Sequence, residues 1–366
     1  LGWATMVMMG ATLQLVPVLL RVRLRSEPLA RLAWWSFAIG TALLAGSLLA
    51  GQPRWLGPSA ALLVSGVLLY ATNVGSTLAR APRGQLQRWA LAAATGFLVL
   101  AALLGATLAL ALAGTPAANA AFPRLLGAHL AAGLLGWMSV TAFAAGYRLI
   151  PMFALSHGYA RHRQGPAVAL LVAGALALVL ASLGAPTAAP GALATAAAYL
   201  LFALDVADIV RNRRRRGLEL VTRFTIAGLA FALASLVLAA LAFLADGQPA
   251  AARLASAAAY AFLGGWISLM VIGHLLKIVP FLTWLERYAD LAGERKVPLV
   301  RDLFSPWLGE AALLLTAAGA ALVTAGLLPG LPAVVRVGLL LTLAGAVALG
   351  AALLQVRAGW RQPPRP

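Results

Sequence analysis

Apolar residues run through this chain in long unbroken stretches, and the polar residues gather in the short gaps between them. Eleven apolar runs can be read, at about 1–20, 31–50, 56–80, 87–114, 124–150, 166–184, 190–210, 220–245, 252–283, 305–328 and 332–356. Many exceed 18 residues without a charge, and about 20 apolar residues suffice to carry a helix across the hydrocarbon core. The gaps hold turn chemistry, as in Gly51-Gln52-Pro53, Gly114-Thr115-Pro116 and Asp246-Gly247-Gln248-Pro249. The pattern predicts an all-α polytopic membrane protein, with residues 1–366 forming a single integral membrane domain.

Composition agrees with the pattern. The chain is 62% hydrophobic and 10% charged, where a soluble domain carries roughly 25% charged residues. The formal charge of +18 could suggest nucleic acid, but the cations sort into alternate gaps. Arg21, Arg23, Arg25 and Arg31 follow the first run, Arg80, Arg83 and Arg88 the third, and Arg161 and Arg163 the fifth. Arg211 to Arg223 follow the seventh, Arg287 to Arg301 the ninth, and Arg357, Arg361 and Arg365 form the tail. This is the positive-inside signal. It places these gaps and the C-terminus in the cytoplasm of a prokaryotic (inner) membrane, with the cations touching anionic lipid and no nucleic acid. The lack of cysteine excludes disulfides, iron–sulfur clusters and thiolate-bound metals. Four histidines and ten acids remain. No phosphate loop, nucleophile triad or zinc signature is present, so no catalytic residue is assigned.

One segment occurs three times. Gly2-Trp3 is followed by Pro17, Gly136-Trp137 by Pro151, and Gly265-Trp266 by Pro280, the proline always 14 residues after the tryptophan. A hydroxyl residue lies two after each tryptophan: Thr5, Ser139 and Ser268. Glycine beside tryptophan suits close helix packing, the hydroxyl can bond back along its helix, and the proline ends or kinks the span. A second match, Leu69–Val74 with Leu201–Val206, is offset by 132 residues and pairs Asn73 with Asp205. The unit is therefore about four helices, in pseudo-repeats of about 1–120, 121–250 and 251–366. The chain opens at Leu1 inside the first motif, which implies residues upstream and a twelfth helix.

Twelve helices in three arcs of four resemble subunit I of the haem-copper oxidase and nitric oxide reductase superfamily. The segment Ala128-His129-Leu130, Leu135-Gly136-Trp137 and Tyr147-Arg148-Leu149-Ile150-Pro151-Met152-Phe153 looks like short, divergent members of it. The resemblance implies haem ligands from the motif helices, a place in a respiratory chain, and other membrane or electron-transfer subunits as partners.

The histidines narrow this. A complete oxidase centre uses about six, and this chain has four. His157 and His162 lie in a polar gap, which leaves His129 and His274 within apolar runs. Relative to their motifs these two differ by 16 residues, roughly 24 Å along a helix, so repeat symmetry does not let them share one iron. The run after the second motif, Ala167 to Leu183, has no histidine, which argues against copper. His129 is the candidate haem or metal ligand, with a partner upstream of Leu1; its plain alternative is an interhelical hydrogen bond. His274 and Lys277 form a possible polar pathway. Gln14, Arg148 and Lys277 share the position three before the proline, where long side chains reach lipid phosphates. Two functions stand: a haem- or metal-binding redox membrane protein without a complete haem-copper centre, or a transporter or structural subunit on the same scaffold.

Overall fold

The computed structural model describes residues 2–214 and 216–359, the side chains of 117 and 118 excepted. The chain is 83% helical, with no strand among the described residues. It is an all-α polytopic membrane protein with, among the described residues, 11 helices long and apolar enough to cross a membrane. Arg215, Arg361 and Arg365 of the cation pattern fall outside the described residues.

The helices are α1 (Gly2–Leu20), α2 (Glu27–Leu49), α3 (Leu56–Ala79), α4 (Leu86–Leu112), α5 (Phe122–Ala154), α6 (Gln164–Ser182), α7 (Ala188–Arg211), α8 (Leu220–Leu244), α9 (Pro249–Leu291), α10 (Pro306–Leu327) and α11 (Pro332–Ala358). The chain forms two compact units, Leu1–Arg214 with α1 to α7 and Arg215–Pro366 with α8 to α11.

Each motif helix is followed by a tightly crossed hairpin: α2–α3, α6–α7 and α10–α11. Small residues set the crossing. A Cβ on Gly66 would lie 2.8 Å from the Phe37 nitrogen, one on Gly174 2.8 Å from the Thr195 nitrogen, and one on Gly338 2.8 Å from the Gly319 carbonyl. In lipid, where apolar burial drives little helix association, such backbone approach supplies the packing.

A polar side chain on the second helix of each hairpin then fixes the residue that caps the first. Asn73 accepts from the Ser26 N–H at 3.1 Å and donates to the Ser26 carbonyl at 2.7 Å. Asp205 accepts from Arg163 Nε at 2.7 Å and from the Tyr147 hydroxyl at 3.0 Å. Gln355 accepts from the Ser305 N–H at 2.8 Å. Ser26, Arg163 and Ser305 are the N-caps of α2, α6 and α10. The hydrogen bond to Asp205 raises the Arg163 pKa above the ordinary arginine value. The arginine's share of that stabilisation is therefore lost only as pH rises through the arginine range.

The prolines behave differently from one another. Pro17 and Pro151 lie in the last turn of α1 and α5, whereas α9 runs on past Pro280 to Leu291. Proline removes one backbone donor, which an otherwise well-packed membrane helix tolerates.

Candidate functional site

The motif helices α5 and α9 are not α-helical throughout. Ala131–Ser139 and Ala261–Ile267 are π-helical, and both stretches contain the Gly-Trp pair. The motif hydroxyl completes them, with Ser139 Oγ donating to the Leu134 carbonyl at 2.7 Å and Ser268 Oγ to the Leu263 carbonyl at 2.8 Å. Both bonds reach back five residues, the π-helical spacing. Tyr199 on α7 also donates to Ser139 Oγ at 2.7 Å.

The motif glycine of each stretch receives a phenylalanine from the preceding helix. Phe97 of α4 sits on Gly136 and Phe231 of α8 on Gly265, and a Cβ at either glycine would fall on the ring. Packing therefore pairs α4 with α5 and α8 with α9, across the repeat boundaries read near 120 and 250. Trp137 and Trp266 are buried, and Trp137 meets Tyr70 edge-on with ring centroids 5.9 Å apart. In the first copy Gly2 meets Thr41, while Trp3 is half exposed.

His129 lies just before the π-helical stretch of α5. Its Nδ1 is 2.8 Å from the Ala101 carbonyl of α4. A carbonyl only accepts, so Nδ1 carries the proton, and in the neutral imidazole Nε2 carries the lone pair. Gly105, one turn on from Ala101, makes room: a Cβ there would lie 3.0 Å from His129 Cε1. His129 lines a half-open cavity of about 370 Å³ whose walls come from α1 to α5. Its walls are almost wholly apolar, with Phe37, Leu63, Val67, Leu98, Leu108 and Leu134 among them. Cofactor pockets are built this way: apolar walls, a few hundred Å³, and a few placed polar groups. Thr41 Oγ1 and Trp137 Nε1 are sealed in the same walls without a hydrogen-bond partner.

Set against protein-family models and curated proteins, the sequence matches none. The repeat itself supplies the nearest comparison. Ala258 of α9 stands where His129 stands in α5, and Ser235 of α8 stands where Ala101 stands in α4. Ser235 Oγ donates to the Ala258 carbonyl at 2.8 Å. The same two positions are thus hydrogen-bonded in both pairs, with donor and acceptor exchanged between the helices.

The remaining candidates lie elsewhere. His274, in the other unit, has Nδ1 2.8 Å from the carbonyl of Met270 on its own helix. Lys277 pairs with Glu219 at 2.8 Å, whereas Gln14 and Arg148 at the matching register are exposed. Among the described residues no three His, Cys, Asp or Glu side chains converge as a metal site. Sequence reasoning missed Ala101, Gly105 and Phe97. The signal for Phe97 was available, because Phe97 and Phe231 share the offset of 134 that separates Gly2 from Gly136.

Proposed function

We propose that this chain is a haem-binding redox membrane protein related to subunit I of the haem-copper oxidases, with His129 as the axial ligand. The observation that carries it is the imidazole whose Nδ1–H is committed to the Ala101 carbonyl while the cavity of α1 to α5 lies beside it. A ligating histidine characteristically donates its other N–H to a carbonyl, which fixes the tautomer and raises its basicity. A bare metal ion would find a single protein donor here. A haem brings four nitrogens of its own and needs one axial side chain, so it is the group this donor set fits. When bound it would supply one-electron chemistry. The protein's part would be to hold the imidazole through Ala101, leave space for it at Gly105, and exclude water with the apolar walls. The arginine-rich helix ends would face the cytoplasm of a prokaryotic membrane and its anionic lipids.

A second reading rests on Ser235 and Ala258. There a serine ties the helix pair with nothing left over, so the His129 bond would be a strut within a transport or structural protein. An optical spectrum of the purified protein, oxidised and dithionite-reduced, separates the two. The haem reading expects a Soret band that shifts on reduction and is lost in His129→Ala. A colourless wild-type preparation would overturn it.

A further inference from the structure

The second unit holds a larger cavity, of about 740 Å³, that owes nothing to His129. It lies at the helix ends, between the start of α8, the Lys277–Pro280 stretch of α9, the loop before α10 and the start of α10. That loop, 292–305, is longer than its counterparts 21–26 and 155–163. Most of the wall is apolar, and four charged side chains interrupt it: Glu219, Lys277, Arg301 and Glu310.

Two of the four neutralise each other, Lys277 pairing with Glu219 at 2.8 Å. Glu310 receives Arg223 on Oε1, which leaves Oε2 open. The carboxylate nearest Arg301 is its chain neighbour Asp302, at 3.7 Å, and the Arg301 side chain is 82% exposed. Asp302 meanwhile accepts the Leu299 N–H at 3.1 Å. The cavity thus offers one cation held only by a long, exposed ion pair and one open carboxylate oxygen in an apolar wall, at the level where membrane helices end and headgroups lie.

We infer that this cavity binds a zwitterionic phospholipid carrying a primary ammonium, phosphatidylethanolamine. Its phosphate accepts from Arg301, and its ammonium donates to Glu310 Oε2. The glycerol and first acyl carbons lie along Leu220, Leu276 and Phe304. Both polar contacts are charge-assisted hydrogen bonds. Arg223 already balances Glu310 and Asp302 stands beside Arg301, so an anionic headgroup would add a negative charge with no matching cation, and a choline headgroup has no N–H to give Glu310.

The test is native mass spectrometry of the delipidated protein in detergent. It is incubated with equimolar phosphatidylethanolamine, phosphatidylcholine and phosphatidylglycerol of identical acyl chains. The ethanolamine lipid is expected to be retained over both others, and Arg301→Ala and Glu310→Gln are each expected to weaken its retention about tenfold. Glu310→Gln also releases Arg223 and could perturb the fold; Arg301→Ala alters an exposed loop side chain and keeps the test decisive. Equal retention of the choline lipid, preference for the glycerol lipid, or indifference to Arg301→Ala would each overturn the inference.

Discussion

Between α4 and α5 a histidine on the motif helix donates to the neighbouring backbone; between α8 and α9, at the matching place, a serine on the neighbouring helix donates to the motif backbone. Around this difference the two pairs are alike. Both carry a π-helical stretch over Gly-Trp, a hydroxyl reaching back five residues, and a phenylalanine pressed on the motif glycine. Each pair thus carries one interhelical hydrogen bond at this level, and a serine supplies it with a single hydroxyl. The histidine supplies it with one nitrogen and brings a second. Gly105 is part of the same difference, because the matching position in α8 is Ala239, whose Cβ would crowd an imidazole placed there.

The largest expected effects break what the pairs share. Gly136→Ala and Gly265→Ala put a methyl group where Phe97 and Phe231 lie. The clash falls on the root of each side chain and not on a flexible tip, so each variant should lose about 1–3 kcal/mol. Denaturant titration in detergent micelles should show it, and Phe97→Ala, which removes Cγ and the ring, should relieve part of the clash, so the double variant should lose less than the sum of the two single losses. Additive losses would mean that glycine and ring are not in contact.

The next effect sharpens the comparison at the hydroxyl. Ser268→Ala removes one bond, to the Leu263 carbonyl, and should cost about 1 kcal/mol. Ser139→Ala removes the matching bond and also the acceptor of the buried Tyr199 hydroxyl. It should cost more than Ser268→Ala, by about 1 kcal/mol or somewhat more. Equal costs in the same titration would show that the Tyr199 contact adds nothing.

Much of this architecture could be read in the sequence, for a physical reason. Lipid demands that apolar length be written residue by residue, so the 11 spans appear as runs, with boundaries off by a turn where a cap such as Ser26 intervenes. The repeat shows through Trp137 and Trp266 because close packing around a large ring tolerates few alternatives. The π-helical stretches leave no such trace, since a shift in hydrogen-bond partner changes no residue type. Gln355 went unmatched with Asn73 and Asp205 because the extension of α9 past Pro280, the long loop before α10 and the longer α10–α11 hairpin together move it out of register, and because a longer amide does the same work. The ion pair of Lys277 with Glu219 was equally hidden: it joins α9 to the start of α8, and Arg148 at the same motif position has Gln85 at the place corresponding to Glu219. His129 was visible as a rare polar residue in an apolar run. Its tautomer was not, because that depends on a carbonyl 28 residues away.

The smallest expected change in stability decides most about the histidine. His129→Ala removes the bond to the Ala101 carbonyl, and Ala101→Ser should supply the serine strut of α8 and α9 in its place. The double variant should recover about 1 kcal/mol relative to His129→Ala, one neutral hydrogen bond. It should recover none of the Soret absorbance, because a serine returns the strut without the imidazole nitrogen. If stability and colour returned together, the band in the wild type would belong to a haem held elsewhere and lost only through loosening of α4 against α5. If stability alone returned, the two duties of His129 would be separated: one nitrogen holding a helix, which a serine can replace, and the other meeting a ligand, which it cannot.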